Sequence, residues 1–139
     1  MVKLALYIGK GKVGNRLIRW WTNRQESHCE LVIDGWSYSS SLMDGGVRKK
    51  LIEFNPSHWY FIDIPWVTES QVLNHYEKTK HKHYSLKGLI TSQIFNRNVD
   101  DVYADFCSEW CAEALGLPNA RTCNPATLAD IAKWLNTIR

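Results

Sequence analysis

Cys107 is the residue of this sequence best suited to act as a nucleophile. It lies in a run that reads DFCSEWCAEALG over residues 105–116. The run predicts a helix over residues 105–115, with Asp105 as its cap and Gly116 as its stop. The thiol would then lie in the first helical turn, where unpaired backbone N–H groups and the positive end of the helix dipole favour a thiolate.

A base for that thiol is offered by a strand-like run far upstream, SHCELVI at residues 27–33. Side chains alternate between the two faces of a strand, so His28 and Glu30 share one face. Cys29 is expected on the other face, pointing away from the site as a small buried residue. A thiol, an imidazole and a carboxylate beside the imidazole are the parts of a nucleophilic cysteine site.

Metal chemistry has weaker support. Cys107 and Cys111 with His28 and Cys29 lack the paired spacing of a zinc site, and the run His81-Lys82-His83 is basic and predicted to be exposed. Glu109 and Glu113 lie one helical turn apart and are interpreted as a solvated face. We therefore expect no metal and no cofactor.

Composition sets the class of protein. The 139 residues fit one domain, 1–139, and 45% of them are apolar. A net charge of +3 is too small to predict nucleic-acid binding, so none is expected. No apolar run reaches the roughly 18 residues of a membrane span. Residues 1–9 are too short for a signal-peptide core, which predicts a cytoplasmic protein with reduced cysteines.

The order of elements predicts an α+β fold, a small antiparallel sheet packed with helices. Turn signals lie at Asp34-Gly35 and at residues 44–46. The predicted strands are 2–9, 28–33, 36–41, 47–54 and 58–64. The predicted helices are 11–22, Thr68 to about Lys80 with Thr68 as cap, 85–95, 105–115 and a last helix capped by Asn124.

The chain resembles the circularly permuted NlpC-like branch of the papain-like cysteine hydrolases, which includes YiiX-like and lecithin retinol acyltransferase-like proteins. The segment SHCELVIDG at 27–35 is similar to the family's histidine strand, and FCSE at 106–109 to its nucleophile motif. YSLKGL at 84–89 and NPATL at 124–128 resemble two further family segments. The serines at 39–41 followed by DGG at 44–46 resemble bacteriophage-encoded members.

This resemblance implies a permuted papain-like fold, with Cys107 as nucleophile and His28 as general base. Glu30 is the favoured third residue, and the serines of the next strand, Ser39, Ser40 and Ser41, are the alternatives. The backbone N–H of Cys107 would belong to the oxyanion hole, with the Tyr84 hydroxyl as a second donor.

The implied activity is hydrolysis of an amide bond, in a peptidase or amidase that acts on peptidoglycan peptides. The same pair of residues would also serve an acyltransferase or a thioesterase. The alternative outside enzymology is a non-catalytic phage structural or host-interaction module. The partner is accordingly a peptide, cell-wall or acyl substrate, and the oligomeric state stays open.

Overall fold

The computed structural model describes residues 1–9, 26–41, 44–81 and 99–138. These residues form an α+β structure, which confirms the predicted class. The strands are β1 (Val2–Tyr7), β2 (His28–Ile33), β3 (Trp36–Ser41), β4 (Gly46–Leu51) and β5 (Trp59–Ile64). The helices are α1 (Glu69–Thr79), α2 (Val99–Ala114) and α3 (Pro125–Ile138), with a short 3-10 turn at Ala120–Thr122.

The five strands form one antiparallel sheet in the order β4-β3-β2-β1-β5. β2 and β3 have the predicted bounds. β1 ends before residue 8, β4 covers 46–51 where 47–54 was predicted, and β5 begins at residue 59. β4 ends before Asn55 and Pro56, whose turn returns the chain to β5 and is closed by a hydrogen bond from the His58 N–H to the Asn55 carbonyl, 2.9 Å.

The β2–β3 hairpin has the backbone that its sequence predicts. Asp34 and Gly35 both have positive φ, 49° and 82°. Two consecutive positive φ values define the type I′ turn, whose twist matches that of the strands it joins. This turn fixes the register in which β3 pairs with β2.

One face of the sheet is covered by the three described helices. Leu4, Leu6 and Leu31 point to this side and have no exposed surface. The Tyr38 ring packs edge-on against Tyr76 of α1, with ring centroids 5.1 Å apart. The Cys29 side chain also belongs to this covered face, since it alternates with His28 and Glu30 along β2.

Helix ends are formed by the residues that the sequence indicated. The Thr68 hydroxyl accepts from the Gln71 N–H at 3.2 Å, and the Asn124 side chain accepts from the Thr127 N–H at 2.8 Å. Gly116, with φ of 74°, ends α2. The Leu117 N–H donates to the Ala112 carbonyl at 3.0 Å, as in a Schellman motif.

The start of α2 corrects the prediction for the cysteine helix. The helix begins at Val99, not at 105, so Asp105 is an interior residue and not a cap. The acidic pair at positions 100–101 has the composition of a first helical turn, and nothing between it and Cys107 interrupts a helix. Cys107 therefore lies eight residues after the first helical residue, and the helix dipole does not explain its ionisation.

Two predicted helices, 11–22 and 85–95, lie outside the described residues. In the part of the chain that the structure describes, no helix is both long and apolar enough to cross a membrane.

Candidate active site

Cys107 lies inside the protein, where α2 packs on the covered face of the sheet. Its side chain has no exposed surface. All four cysteines are free thiols, and all are buried. A buried cysteine in a helix interior is ordinarily a neutral thiol, because burial disfavours the charged form. Any thiolate here must be stabilised by its neighbours.

His28 is the first of those neighbours. It is the first residue of β2, at the end of the sheet, and its imidazole is hydrogen-bonded to the Cys107 thiol. Burial alone would lower the pKa of His28, but the negative charge of Cys107 and the hydrogen bond to it, together with Glu30, raise it well above its ordinary value. The structure thus brings Cys107 and His28 together.

The ionisation of Cys107 is shifted in the opposite direction. Burial would raise the pKa of this thiol, but a hydrogen bond from the Cys29 thiol and the charge and hydrogen bond of His28 hold it well below its ordinary value. A raised imidazole pKa and a lowered thiol pKa together favour a thiolate–imidazolium pair near neutral pH.

Cys29 corrects a prediction, because it faces the site and not away from it. Its Sγ lies 3.8 Å from the Cys107 Sγ. The alternation along β2 does put Cys29 on the face opposite Glu30, but α2 packs on that face and carries Cys107 to it. Burial, with Cys107 and Cys111 nearby, raises the pKa of the Cys29 thiol well above its ordinary value, so Cys29 stays a neutral donor.

Glu30 supports the imidazole from the other side. Its carboxylate Oε2 accepts from His28 Nε2, and the side chain is fully buried. Burial would raise the pKa of Glu30, but the hydrogen bonds and charges of His28 and then of Arg48 hold it below its ordinary value. The ionised carboxylate is therefore available to orient the ring and to stabilise its protonated form.

Two of the three serines considered as alternatives have other partners. The Ser39 hydroxyl donates to the Cys29 carbonyl at 3.0 Å, and the Ser41 side chain is hydrogen-bonded to Asp44. The Ser40 hydroxyl has no partner among the described residues. In that part of the chain, Glu30 and not a serine contacts the His28 ring.

Arg48 belongs to the site and was missed by sequence reasoning. Its guanidinium holds the Glu30 carboxylate with two hydrogen bonds, Nη1 to Oε1 and Nη2 to Oε2, the second at 2.9 Å. The sequence presents Arg48 within a basic run with Lys49 and Lys50, a composition that favours a solvent-exposed strand edge. The available signal was the buried carboxylate on β2, because a buried charge requires a partner of opposite sign.

The residues after Cys107 serve the structure around it. The Ser108 hydroxyl donates to the Cys123 carbonyl at 2.6 Å, which ties α2 to the chain entering α3. The Glu109 carboxylate lies 3.6 Å from the Arg121 guanidinium, and Glu113 lies 3.6 Å from His75. The two glutamates thus have separate partners, Arg121 and His75, in agreement with their interpretation as a helix face.

The oxyanion hole implied by the resemblance is not formed by α2 as the structure has it. An N–H in the interior of a regular helix donates to the carbonyl four residues earlier, so the Cys107 N–H is already engaged. A free N–H at this position would require the helix to begin close to Cys107. Tyr84, the second predicted donor, lies outside the described residues.

A metal site is not evident in the described ranges, where no group of three or more His, Cys, Asp and Glu side chains could hold an ion. His81 is exposed there, and His83 lies outside those ranges. The chemistry that the described residues offer is that of a buried thiolate paired with an imidazolium.

No family model, no curated protein and no solved structure matches this chain. The chemical interpretation therefore rests on the side chains themselves. A thiolate beside an imidazolium, with a carboxylate behind the ring, is able to attack an electrophilic carbon and to pass a proton to a leaving group.

Proposed function

We propose that this protein is a cysteine hydrolase that cleaves an amide bond, with Cys107 as nucleophile, His28 as acid and base, and Glu30 as the residue that orients His28. The proposal is carried by one observation, the hydrogen-bonded series Cys107–His28–Glu30. Both pKa shifts of the reacting pair, lowered for the thiol and raised for the imidazole, favour the reactive ionic form.

The reaction follows from that pair. The Cys107 thiolate attacks the carbonyl carbon and forms a C–S bond. The His28 imidazolium then gives its proton to the departing amine as the C–N bond breaks. Neutral His28 next takes a proton from water, whose oxygen attacks the thioester carbon. Release of the acid returns Cys107 to the thiolate and leaves His28 protonated.

The substrate and the finer fold come from the family resemblance. We infer a permuted papain-like, NlpC-like fold, in a protein of bacteriophage type that works in the host cytoplasm or the virion. Peptidoglycan peptides are the proposed substrate. Use of a thioester substrate, or transfer of the acyl group to an amine or alcohol, would make the protein a thioesterase or an acyltransferase with the same acyl-enzyme at Cys107.

A non-catalytic binding module is the second candidate, and two observations favour it. Cys107 has no exposed surface, so a substrate reaches the thiol only if the protein opens around it. The Cys107 N–H is also hydrogen-bonded within α2, so another donor would have to stabilise the oxyanion. A module on the same fold would keep the buried thiol without turning over substrate.

The turnover of the Cys107→Ala variant distinguishes the hydrolase from the binding module. Wall peptides, acyl thioesters and simple esters would be assayed with the wild type, Cys107→Ala and the control Cys123→Ala. We expect Cys107→Ala to lose on the order of 10³-fold or more of the activity, because no other nucleophile replaces the thiol. Cys123→Ala should stay active. Wild-type inactivity on every class would favour the binding module.

The pH profile supplies a second criterion. Activity should rise as Cys107 ionises, at a pH below the roughly 8.5 of a free thiol, since its pKa is lowered. It should fall as His28 loses its proton, at a pH above the roughly 6.5 of a free imidazole, since its pKa is raised. A profile that rises only near the free-thiol value would contradict the ion pair.

A further inference from the structure

A series of charged side chains, Glu30, Arg48 and Asp44, leads from His28 to the edge of the sheet. Arg48 of β4 holds both oxygens of Glu30, and its remaining guanidinium nitrogen, Nε, donates to Asp44 Oδ2 at 2.9 Å. The exposed fraction of these side chains rises along the series, from 0% for Glu30 to 15% for Arg48 and 34% for Asp44. The buried carboxylate is thus linked to the surface through one guanidinium.

The register of the sheet makes this contact available. β3 lies between β4 and β2, and Ser39 of β3 is paired with Arg48. Leu31 of β2 is paired with Tyr38, so Ser39 lies opposite Glu30 by continuation of the same register. A serine at this position leaves room for the arginine side chain to cross the strand.

We propose that Arg48, anchored by Asp44, is a positioning residue that fixes the Glu30 carboxylate against His28 and thereby sets the pH range in which the Cys107–His28 ion pair exists. The proposal deepens the hydrolase function, on which it rests for the meaning of that pair. Arg48 acts on the pair through Glu30 and through its own positive charge, and it is given no contact with substrate.

The electrostatic consequence has a definite sign. The described groups that face the pair are Cys29 and Glu30 from β2, Arg48 from β4 with Asp44 beyond it, and Cys111 from α2. Arg48 is the cation of this set that is not a member of the pair. Its removal raises the pKa of each titrating neighbour, so both limbs of the activity profile should move to higher pH.

A merely structural arginine would have a different signature. Its loss would lower the amount of folded protein or the maximal rate and would leave the two limbs where they are. The direction of the shift is therefore the informative readout. Glu30→Gln removes a negative charge from the same place and should move both limbs to lower pH.

The experiment follows the Cys107 thiolate directly, by its ultraviolet absorbance against pH, with the matching Cys107→Ala protein subtracted. Arg48→Met should displace the appearance of thiolate to higher pH and lower kcat on the order of tenfold at similar KM, because general acid–base work is impaired. Arg48→Lys keeps a charge without the paired hydrogen bonds, and should leave the limbs near their wild-type positions with a reduced kcat.

Lys50→Met is the matched control. Lys50 lies two residues along β4 on the same face, and its Nζ is 3.8 Å from Asp44 Oδ1, with 54% of its side chain exposed. It is a cation at the surface end of the series, screened by solvent. Thiolate ionisation in Lys50→Met should follow the wild type.

Folding is checked with a second variant. Arg48→Met leaves Glu30 buried with one partner fewer, and the double variant Arg48→Met with Glu30→Gln removes that unbalanced charge. The double variant should fold and show limbs between those of the two single variants. An unmoved thiolate curve in folded Arg48→Met, or in the double variant relative to Glu30→Gln alone, would overturn the proposal.

The absorbance measurement needs no turnover, so the two proposals fail separately. A shifted thiolate curve in a protein that hydrolyses nothing would remove the hydrolase function and keep the role of Arg48. Hydrolysis that depends on Cys107, with a pH profile whose limbs are unchanged in Arg48→Met, would keep the hydrolase function and remove the role of Arg48.

Discussion

Three consecutive residues of β2, whose side chains alternate between the two faces of the sheet, influence the Cys107 thiol. His28 contacts it as an imidazole, Cys29 as a thiol 3.8 Å away, and Glu30 acts through the His28 ring. Because Cys107 is buried in a helix interior, its thiolate depends on these side chains and not on a helix terminus. Each of the three therefore makes a separate, measurable contribution to its ionisation.

The contribution of Cys29 is tested by substitution at that position. Cys29→Ala removes the S–H that donates to Cys107, so the pKa of Cys107 should move up toward its ordinary value. Cys29→Ser restores a hydroxyl donor and should bring ionisation back toward the wild type. The measurement is the ultraviolet absorbance of the Cys107 thiolate against pH.

Cys123→Ala is the control for the Cys29 variants, since Cys123 meets Ser108 through its backbone carbonyl. It should leave the Cys107 titration unchanged. If Cys29→Ala titrates like the wild type as well, Cys29 is a packing residue and the lowered pKa of Cys107 comes from His28 and the charged groups behind it.

At the scale of elements, specific contacts fix the C-terminal end of α2. Gly116 has positive φ and closes the Schellman motif. The side chain of Gln71 donates to the Ala114 carbonyl at 3.1 Å, which links α1 to the same helix end. The orientation of the helix that carries Cys107 thus depends on a glycine nine residues away.

Gly116→Ala should destabilise the protein by about 1–2 kcal/mol, the cost of a left-handed conformation for a residue with a Cβ. The added Cβ would also lie 3.1 Å from the Gln71 side-chain nitrogen. Gly116→Asn should cost less, because asparagine tolerates this conformation. Urea unfolding of the three proteins measures the difference, and equal free energies of unfolding for Ala and Gly would refute the argument.

At the scale of the whole molecule, the buried carboxylate links stability to acid. The pKa of Glu30 is lowered in the folded protein, so its stabilising effect is complete above the roughly 4.3 of the unfolded chain. That effect is lost as the pH falls through the lower folded value. Wild type should therefore exceed Glu30→Gln in the free energy of unfolding by about 3–5 kcal/mol at neutral pH, and the gap should narrow below about pH 4.3.

Asp63→Asn provides the matched control for acid unfolding. The Asp63 carboxylate is exposed and lies 3.9 Å from Lys3, a pair worth at most about 1 kcal/mol in solvent. Its difference from the wild type should stay small at every pH. A gap between wild type and Glu30→Gln that is constant down to strong acid would show that the carboxylate is not ionised in the folded protein.

Local patterns predicted much of this molecule. Strand alternation and the Asp34-Gly35 turn gave β2 and β3 their bounds, and Thr68, Asn124 and Gly116 end their helices as expected. These features depend on residues that are neighbours in the chain, so they can be predicted from the sequence. The pairing of His28 with Cys107, by contrast, was predicted from residue types and a resemblance, and its geometry required the folded chain.

Two of the three errors in the sequence-based prediction originate in contacts between segments that are distant in sequence, and one concerns the start of a helix. The helix of Cys107 begins at Val99 because an acceptable helical sequence continues upstream of Asp105. Cys29 faces the site because a helix packs on its side of the sheet. Arg48 reaches Glu30 through a register that joins β4 to β2 across β3. The contacts of Cys29 and Arg48 are not set by the residues adjacent to them in sequence.

The tight hairpin at Asp34-Gly35 has a consequence for how the chain tolerates changes in length. β2 is also held by β1, with which it pairs from His28 to Val32, so a residue inserted into this turn would shift β3 against β2. A one-residue slip exchanges the two faces of a strand, and β4 follows β3, so the Arg48 side chain would be carried away from Glu30 with every side chain of the site still present. Insertions that preserve the site belong elsewhere in the chain, and two-residue changes in the turn should be less harmful than single ones.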